Sequence, residues 1–151
     1  MEYIRSATDE PEGCIFCELP AAGDDEASLI LARTQRSFAL LNRYPYNPGH
    51  LLIAPLRHTG DLESFGGDEA ADAHALLQRS VGALREEMEP HGFNVGMNLG
   101  RVAGAGIPDH LHWHVVPRWN GDSNFMPVIG QTKVLPELLA ETWAKLARRF
   151  A

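Results

Sequence analysis

One short stretch, HLHWHVV at residues 110–116, places three of the seven histidines of the chain at every second position. Side chains alternate between the two faces of a β-strand, so this spacing predicts a strand with a histidine face and an apolar face. The first face carries His110, His112 and His114, and the second carries Leu111, Trp113 and Val115. Packing does not explain three imidazoles on one face, because histidine is costly to bury without a partner. The pattern therefore indicates a functional strand at the edge of a core.

The rest of the chain predicts more strands than helices. Hydrophobic runs bounded by turn residues predict strands at 28–33, 37–42, 50–55, 92–99 and 111–117. A helical stripe of apolar residues predicts a helix over 68–89, and Pro136 opens a second helix. Residues 18–28 are expected to form a surface loop. This order predicts an α+β fold, with a mainly antiparallel sheet of about five strands and two main helices packed on it.

Length and charge limit the possible functions. A chain of 151 residues suits one domain, 1–151, with residues 1–13 as a loose N-terminal segment. The net charge of −7 disfavours nucleic acid as a partner. Because no apolar run approaches the roughly 20 residues of a membrane helix, no membrane association is expected. The acidic N-terminal residues resemble no targeting signal, so a cytoplasmic location is expected.

The histidine spacing alone leaves two chemistries open. Imidazole is a zinc ligand, and its neutral form is also a nucleophile near pH 7. The preceding loop, GRVAGAGIPD at residues 100–109, is rich in glycine, and its backbone can turn N–H groups toward an anion. Together with Arg101 or Arg118, such a loop would surround transferring phosphoryl oxygens with positive potential. This context favours phosphoryl transfer over metal binding by the three histidines.

Both cysteines lie in CIFC, residues 14–17, which rules out a disulfide framework. A lone CxxC occurs in redox sites and in zinc sites. The redox interpretation requires a helix after the motif, and the loop expected there argues against it. Unmetallated thiols in a reducing cytosol are the remaining alternative.

These residues resemble a known family. HLHWHVV resembles the signature of the histidine triad (HIT) family, whose members are nucleotide hydrolases and transferases. FALLNRYPYNPGHLLIAP resembles the ribose-binding strand pair of that family. PHGFNVGMNLG and VVPRWNGDSNF resemble the branch that includes the fragile-histidine-triad hydrolases and bacterial diadenosine tetraphosphate phosphorylases. The resemblance runs from about Cys14 to the last helix, and it implies a HIT-like fold and a homodimer with joined sheets.

The resemblance also implies roles for individual residues. His112 would be the nucleophile that attacks an α-phosphorus and forms a nucleotidyl-histidine intermediate. His114 would hydrogen-bond phosphate or leaving-group oxygens, with His50 behind it, and Asn42 would contact the ribose. Further phosphate contacts are expected from Asn98 and from the backbone amides of Gly104, Ala105 and Gly106.

Relatives with a similar CxxC use two histidines to complete a structural zinc site. Here these would be His58 and His110, which with Cys14 and Cys17 give a Cys₂His₂ set for Zn²⁺. Bound Mg²⁺ is a further option, because it would reduce the charge of a polyphosphate substrate.

The implied function is cleavage of dinucleoside polyphosphates, such as diadenosine tetraphosphate, with water or phosphate as the acceptor. The expected ligand is accordingly a purine nucleotide or dinucleoside polyphosphate. The chain has AGAGIPDH before the triad, where one related branch has a glutamine and the other a serine, so the acceptor stays open. The alternatives are a nucleoside phosphoramidate hydrolase, a non-catalytic nucleotide-binding module, and a zinc hydrolase with a three-histidine metal site.

Overall fold

The computed structural model describes residues 13–122 and 136–151. The predicted N-terminal segment, except for Gly13, lies outside the described residues. The helices are α1 (Ile15–Ala21), α2 (Asp25–Ser28), α3 (Gly67–Met88) and α4 (Pro136–Phe150), with a short 3-10 helix at Leu62–Ser64. The strands are β1 (Ile30–Arg33), β2 (Ser37–Leu41), β3 (Leu51–Pro55), β4 (Gly92–Gly96) and β5 (Trp113–Arg118).

The five strands form one sheet in the order β1-β2-β3-β5-β4. Every neighbouring pair of strands is antiparallel. The predicted α+β fold, with an antiparallel five-stranded sheet and two main helices, is therefore confirmed. Because β3 and β5 are adjacent, Leu52 lies opposite His114, and the segment before β3 reaches the histidine strand.

Both faces of the central strands are buried, which explains their continuous apolar sequences. Every residue of β2 and β3 is buried. One face packs on α3 and α4, and its cluster includes Leu41, Ile53, Leu76, Leu84, Val115 and Leu146. The other face packs on the N-terminal helices and the glycine-rich loop, and its cluster includes Cys14, Phe16, Phe38, Leu40, Leu52 and Ile107. Burial of each such large side chain contributes about 1.5–3 kcal/mol.

Three sequence predictions need correction. Residues 18–28 do not form a simple loop, because they belong largely to α1 and α2. The strand predicted over 92–99 ends at Gly96, opposite His114, where its pairing with β5 stops. The strand predicted over 111–117 begins at Trp113, so His110 and His112 precede it. His110 lies in a bend and His112 in irregular chain, and the Leu111 N–H between them anchors this segment by donating to the Thr59 carbonyl oxygen at 2.7 Å.

A glycine sets the entry into β3. Gly49 has a φ of +83°, which a side chain would strain. A Cβ there would also lie 2.7 Å from the Met88 sulfur and 3.2 Å from Leu84. The backbone therefore passes close to α3 just before His50, and only glycine fits. Among the described residues, no helix has the length and hydrophobicity needed to cross a membrane.

Candidate active site

His112 and His114 lie side by side on the face opposite α3. Their ring centroids are 5.2 Å apart, and both rings line a cavity of about 560 Å³. His110 is fully buried and lies farther along the row, beside the cysteines. Phe16 packs against His112 at 4.7 Å between centroids and against His110 at 5.4 Å. The histidine row is therefore divided between the cavity and a second, buried cluster.

A backbone carbonyl fixes the tautomer of His112. Its Nδ1 lies 2.9 Å from the carbonyl oxygen of His110. Because a carbonyl oxygen only accepts, Nδ1 carries the proton and donates it, and Nε2 keeps its lone pair. Burial lowers the pKa of His112 from its ordinary value of 6.5, although this hydrogen bond opposes the shift. A neutral ring with an unprotonated Nε2 is the form that a nucleophile requires.

A second backbone group fixes the tautomers of His50 and His114. The Tyr46 amide N–H donates to His50 Nδ1 at 3.1 Å, so the proton of a neutral His50 lies on Nε2. That Nε2–H donates to His114 Nδ1 at 2.8 Å, which leaves the His114 proton on its own Nε2. His114 thus offers a hydrogen-bond donor next to the lone pair of His112.

Burial keeps this histidine pair neutral. Desolvation, followed by repulsion from His114 and His112, lowers the pKa of His50 to about 3. Desolvation and the charge of His112 lower the pKa of His114 to about 4. Both imidazoles are therefore uncharged at neutral pH, which the tautomer chain requires.

The cavity beside these rings suits a nucleotide-sized ligand. Its volume lies within the usual range of about 300–1,000 Å³ for small-molecule sites. Much of the lining is apolar, and it includes Ile15, Phe16, Leu19, Leu29, Leu41 and Ile107. Asn42, His112 and His114 supply polar groups on the same lining. This combination suits a flat nucleoside with its phosphate against the histidines.

Asn42 has both a structural and a potential binding role. Its Oδ1 accepts the Tyr44 N–H at 2.9 Å, which shapes the turn after β2. Its Nδ2 lies 3.5 Å from both ring nitrogens of His50, and the residue also lines the cavity. A ribose contact is compatible with this position.

The glycine-rich loop uses some of the amides expected to bind phosphate. The Gly104 N–H donates to the Arg101 carbonyl oxygen at 3.0 Å, and the Ala105 N–H donates to that of Gly100 at 3.2 Å. Gly104 and Gly106 line the cavity, whereas Ala105 is buried. The Gly104 and Ala105 amides could contact phosphate only if these hydrogen bonds broke. The Gly106 amide is therefore the best placed of the three to bind phosphate.

Asn98 lies beside this loop rather than on the described cavity lining. Asn98 follows the end of β4, and its Nδ2 would lie 3.6 Å from a Cβ added at Gly104, so its side chain lies against the loop. The structure therefore brings Asn42, His50, His112 and His114 together and leaves Asn98 at the margin.

The four expected metal ligands form one cluster. The ligand atoms of Cys14, Cys17, His58 and His110 all lie within 4.8 Å of one another. The Cys14 and Cys17 sulfurs lie 3.4 Å from Nδ1 of His110 and His58 respectively, and the two Nδ1 atoms are 3.2 Å apart. Tetrahedral bonds of zinc to nitrogen and sulfur separate the ligands by about 3.3–3.8 Å. The cluster could therefore hold a metal ion with little movement.

The protonation states of the cluster also suit a metal. His110 Nε2 lies 2.8 Å from the Pro55 carbonyl oxygen, so it carries the proton and Nδ1 faces the thiols with its lone pair. Burial raises the pKa of the Cys14 thiol to about 11. Two thiols, of which Cys14 is buried and Cys17 partly buried, face two imidazole nitrogens, and a cation that displaces the thiol protons would satisfy all four groups.

This geometry changes the argument about CIFC. A helix does begin at Ile15, so the absence of a helix was the wrong ground for setting aside a redox role. The better argument against a redox role is that the rings of His58 and His110 contact the two thiols. This contact also assigns His110 to this cluster, which argues against a metal site shared with His112 and His114.

Sequence reasoning missed a polar network next to His50. Asn47 is buried, and its Nδ2 donates to the Pro117 carbonyl oxygen at 2.9 Å and to Asp122 at 2.7 Å. Arg118 binds both carboxylate oxygens of Asp122, and this pairing holds the pKa of that carboxyl far below its usual range. The Asn47 carbonyl oxygen in turn accepts the His50 N–H at 3.2 Å. Arg118, expected as a possible phosphate contact, instead supports the turn before β3.

The fold and the site together define a class of protein. It has an antiparallel five-stranded sheet with two long helices on one face. On the other face, a cavity of about 560 Å³ contains a neutral imidazole whose Nε2 keeps its lone pair, next to an N–H donor. The sequence profile of the HIT domain matches residues 24–121. The chain belongs to the HIT family.

Three similar proteins support this assignment. An AP-4-A phosphorylase of Mycobacterium tuberculosis is 46% identical over 136 residues, which cover 90% of this chain and 69% of that protein. An adenosine 5'-monophosphoramidase of Schizosaccharomyces pombe is 32% identical over 107 residues, with 71% and 75% covered. A zinc-bound histidine triad family protein from Mycobacterium smegmatis superimposes with a TM-score of 0.75 at 27% identity, with 93% and 95% covered.

Proposed function

We propose that this protein is an enzyme that cleaves dinucleoside polyphosphates by transferring a nucleotidyl group to His112. The observation that carries the proposal is the pair of fixed tautomers, a lone pair on His112 Nε2 beside an N–H on His114 Nε2. The 46% identity to an AP-4-A phosphorylase supports diadenosine tetraphosphate as the substrate to test first.

In the first step, the Nε2 lone pair of His112 attacks the α-phosphorus. A P–N bond forms, and the P–O bond to the rest of the polyphosphate breaks. With diadenosine tetraphosphate, ATP leaves with the bonding electron pair and AMP remains on the histidine. The leaving oxygen is part of a stabilised polyphosphate anion, so it needs little protonation. The N–H of His114 stabilises the spreading oxygen charge, and the cavity supplies positioning.

In the second step, an acceptor oxygen attacks the same phosphorus, and the P–N bond breaks. The imidazole recovers its lone pair. Water gives AMP and releases a proton to solvent, whereas inorganic phosphate gives ADP. Whether water or phosphate is the acceptor then depends on whether phosphate can bind at the glycine-rich loop, where the Gly106 amide is the best placed.

Product analysis tests this proposal. Purified protein is incubated with diadenosine tetraphosphate, with and without phosphate, and the nucleotides are separated. AMP plus ATP indicates hydrolysis, and ADP plus ATP indicates phosphorolysis. His112→Ala should abolish turnover but spare much of the nucleotide affinity, because Asn42 and most of the apolar lining remain in place. Turnover that survives in this variant rules out the mechanism, and binding without turnover in the natural protein indicates a non-catalytic nucleotide-binding module.

A nucleoside phosphoramidate hydrolase is a second candidate within the same chemistry. It is favoured by the 32% identity to an adenosine 5'-monophosphoramidase. The same His112 lone pair would attack phosphorus, the P–N bond to the amine would break, and the departing nitrogen would take up a proton from solvent. A higher kcat/KM on adenosine 5'-phosphoramidate than on diadenosine tetraphosphate would establish this alternative.

We further propose that Zn²⁺ occupies the Cys₂His₂ cluster. Its role would be structural, because His110 presents Nδ1 to the thiols and none of these ligand groups lines the described cavity. Metal analysis after gentle purification checks this, with about one zinc per chain expected. Mg²⁺ would act only through the phosphates of the substrate, so omitting it should raise KM without unfolding the protein.

We also propose a homodimer in a cytoplasmic location. Strand β4 is at the edge of the sheet, and Val95 on it is 47% exposed. An edge strand with unpaired backbone groups and an exposed valine is suited to pairing with a second copy. Light scattering should give a dimer mass for the natural protein and a smaller mass for Val95→Lys, and cell fractionation checks the location.

A further inference from the structure

We propose that the segment after β2 contains a subsite for the leaving nucleotide, in which Tyr46 stacks on the second base and Arg43 contacts the distal phosphates. This inference rests on the proposed function, because it concerns the half of a dinucleoside polyphosphate that departs. The apolar lining of the cavity suits one nucleoside, and such a subsite would explain a preference for substrates that carry a second one.

The position of the leaving half follows from the geometry of attack. In phosphoryl transfer, the attacking and leaving atoms lie roughly in line across phosphorus. The nucleoside attached to the attacked phosphorus takes the apolar part of the cavity. The leaving chain must then extend away from His112 Nε2, past the neighbouring N–H donor of His114, toward the exposed rim. A hydrophilic polyphosphate also favours the rim over the apolar lining.

Tyr46 presents an aromatic ring at this rim. Its ring is nearly parallel to the His114 imidazole, with an interplanar angle of 10° and 5.9 Å between centroids. The residue is 48% exposed and lines the cavity, so its ring adds little to the core. Orientation of His50 requires only the Tyr46 backbone amide, which any residue supplies. The ring packs on His50 and His114, with centroids 4.6 and 5.9 Å away, and the rest of its surface is exposed. Every nucleobase can stack on such an exposed aromatic surface.

Arg43 supplies positive charge to the cavity of a protein that is acidic overall. The chain has a net charge of −7, so a polyphosphate must be held by local groups. Within the part of the cavity lining that the structure describes, Arg43 is the one arginine or lysine. Its Nη2 donates to the Ala27 carbonyl oxygen at 3.3 Å, which leaves other guanidinium N–H groups for phosphate oxygens. Arg118 is already paired with Asp122 and cannot serve.

A matched pair of substrates tests the subsite. Diadenosine tetraphosphate and adenosine 5'-tetraphosphate share the attacked phosphorus and chain length, and only the first has a second base. Stacking on one aromatic ring is expected to favour the first compound by about tenfold in kcat/KM. Tyr46→Leu should remove most of this ratio, whereas Tyr46→Phe should keep it. Arg43→Gln should lower kcat/KM for both compounds, because both carry the distal phosphates.

Several outcomes would overturn the inference. An unchanged ratio in Tyr46→Leu means that the ring does not meet the second base. An equal loss on both compounds means that Tyr46 acts only by supporting His114. If the natural protein cleaves neither compound, the proposed function fails separately, and calorimetric affinities for the two compounds then decide the subsite. A binding preference for the dinucleoside that disappears in Tyr46→Leu supports the subsite, and no preference in the natural protein refutes it.

Discussion

Acidification should destabilise the protein through the buried pair His50 and His114. Their pKa values, about 3 and about 4, lie below the ordinary 6.5 of an unfolded histidine. Between the folded pKa values and the unfolded value of 6.5, the unfolded chain binds more protons than the folded chain. The free energy of unfolding therefore falls as the pH falls through this range. At pH 5, about 1.5 units below the unfolded value, each histidine costs about 2 kcal/mol, and the pair costs about 4 kcal/mol. Total stabilities of domains are about 5–15 kcal/mol, so this is a large fraction.

Urea unfolding at pH 7, 6 and 5 measures this effect. His114→Gln should lose about half of the pair's contribution to the pH dependence, because one titrating group is removed and the repulsion on His50 is relieved. His74→Gln is the matched control, since His74 lies on the exposed face of α3, and it should keep the natural pH dependence. Equal slopes for the natural protein and His114→Gln would refute the buried neutral pair.

Three further predictions concern the supports of the site. Chelation of the Cys₂His₂ cluster should lower Tm by about 10 °C in calorimetry, since a tightly bound metal contributes about 4 kcal/mol, and an unchanged Tm contradicts a structural metal. Gly49→Ala should cost about 1–3 kcal/mol in urea unfolding because its Cβ meets the Met88 sulfur, whereas Gly82→Ala, in open space on α3, should be neutral or stabilising. Asp122→Asn should lower kcat more than nucleotide affinity, because Asn47 loses its hold on the turn before His50; equal effects on both would argue against this link.

The fold was largely predictable because its signals are local. Alternating and continuous apolar runs defined the strands, and the 3.6-residue stripe defined α3 to within a residue at each end. The short helices α1 and α2 gave no such signal. They are only seven and four residues long, and α1 contains Pro20, a residue that usually argues against a helix interior. Tertiary packing of Phe16 against His112 and Phe38 stabilises α1, and a local pattern cannot show that contact.

The sequence indicated candidate residues for the site but not their hydrogen bonds. The spacing of the three histidines and their resemblance to a family signature identified the residues. The tautomers depend on which backbone group meets each ring. The Tyr46 amide and the His110 carbonyl are only four and two residues from their partners, but the local backbone conformation that joins them has no signal in the sequence. The amides of Gly104 and Ala105 were expected to face phosphate for a similar reason. Glycines permit many loop conformations, so the sequence could not show that these two amides donate to carbonyl oxygens within the loop.

Capture of the covalent intermediate is the most direct test of the proposed nucleophilic role of His112. The protein is mixed with diadenosine tetraphosphate, quenched in alkali within milliseconds to seconds, digested and analysed by mass spectrometry. We expect one adenylyl group, stable to alkali and labile to acid, on the peptide that contains His112, and no such adduct in His112→Ala. An adduct on another residue, or rapid single-turnover cleavage with no adduct at any time point, would contradict the account.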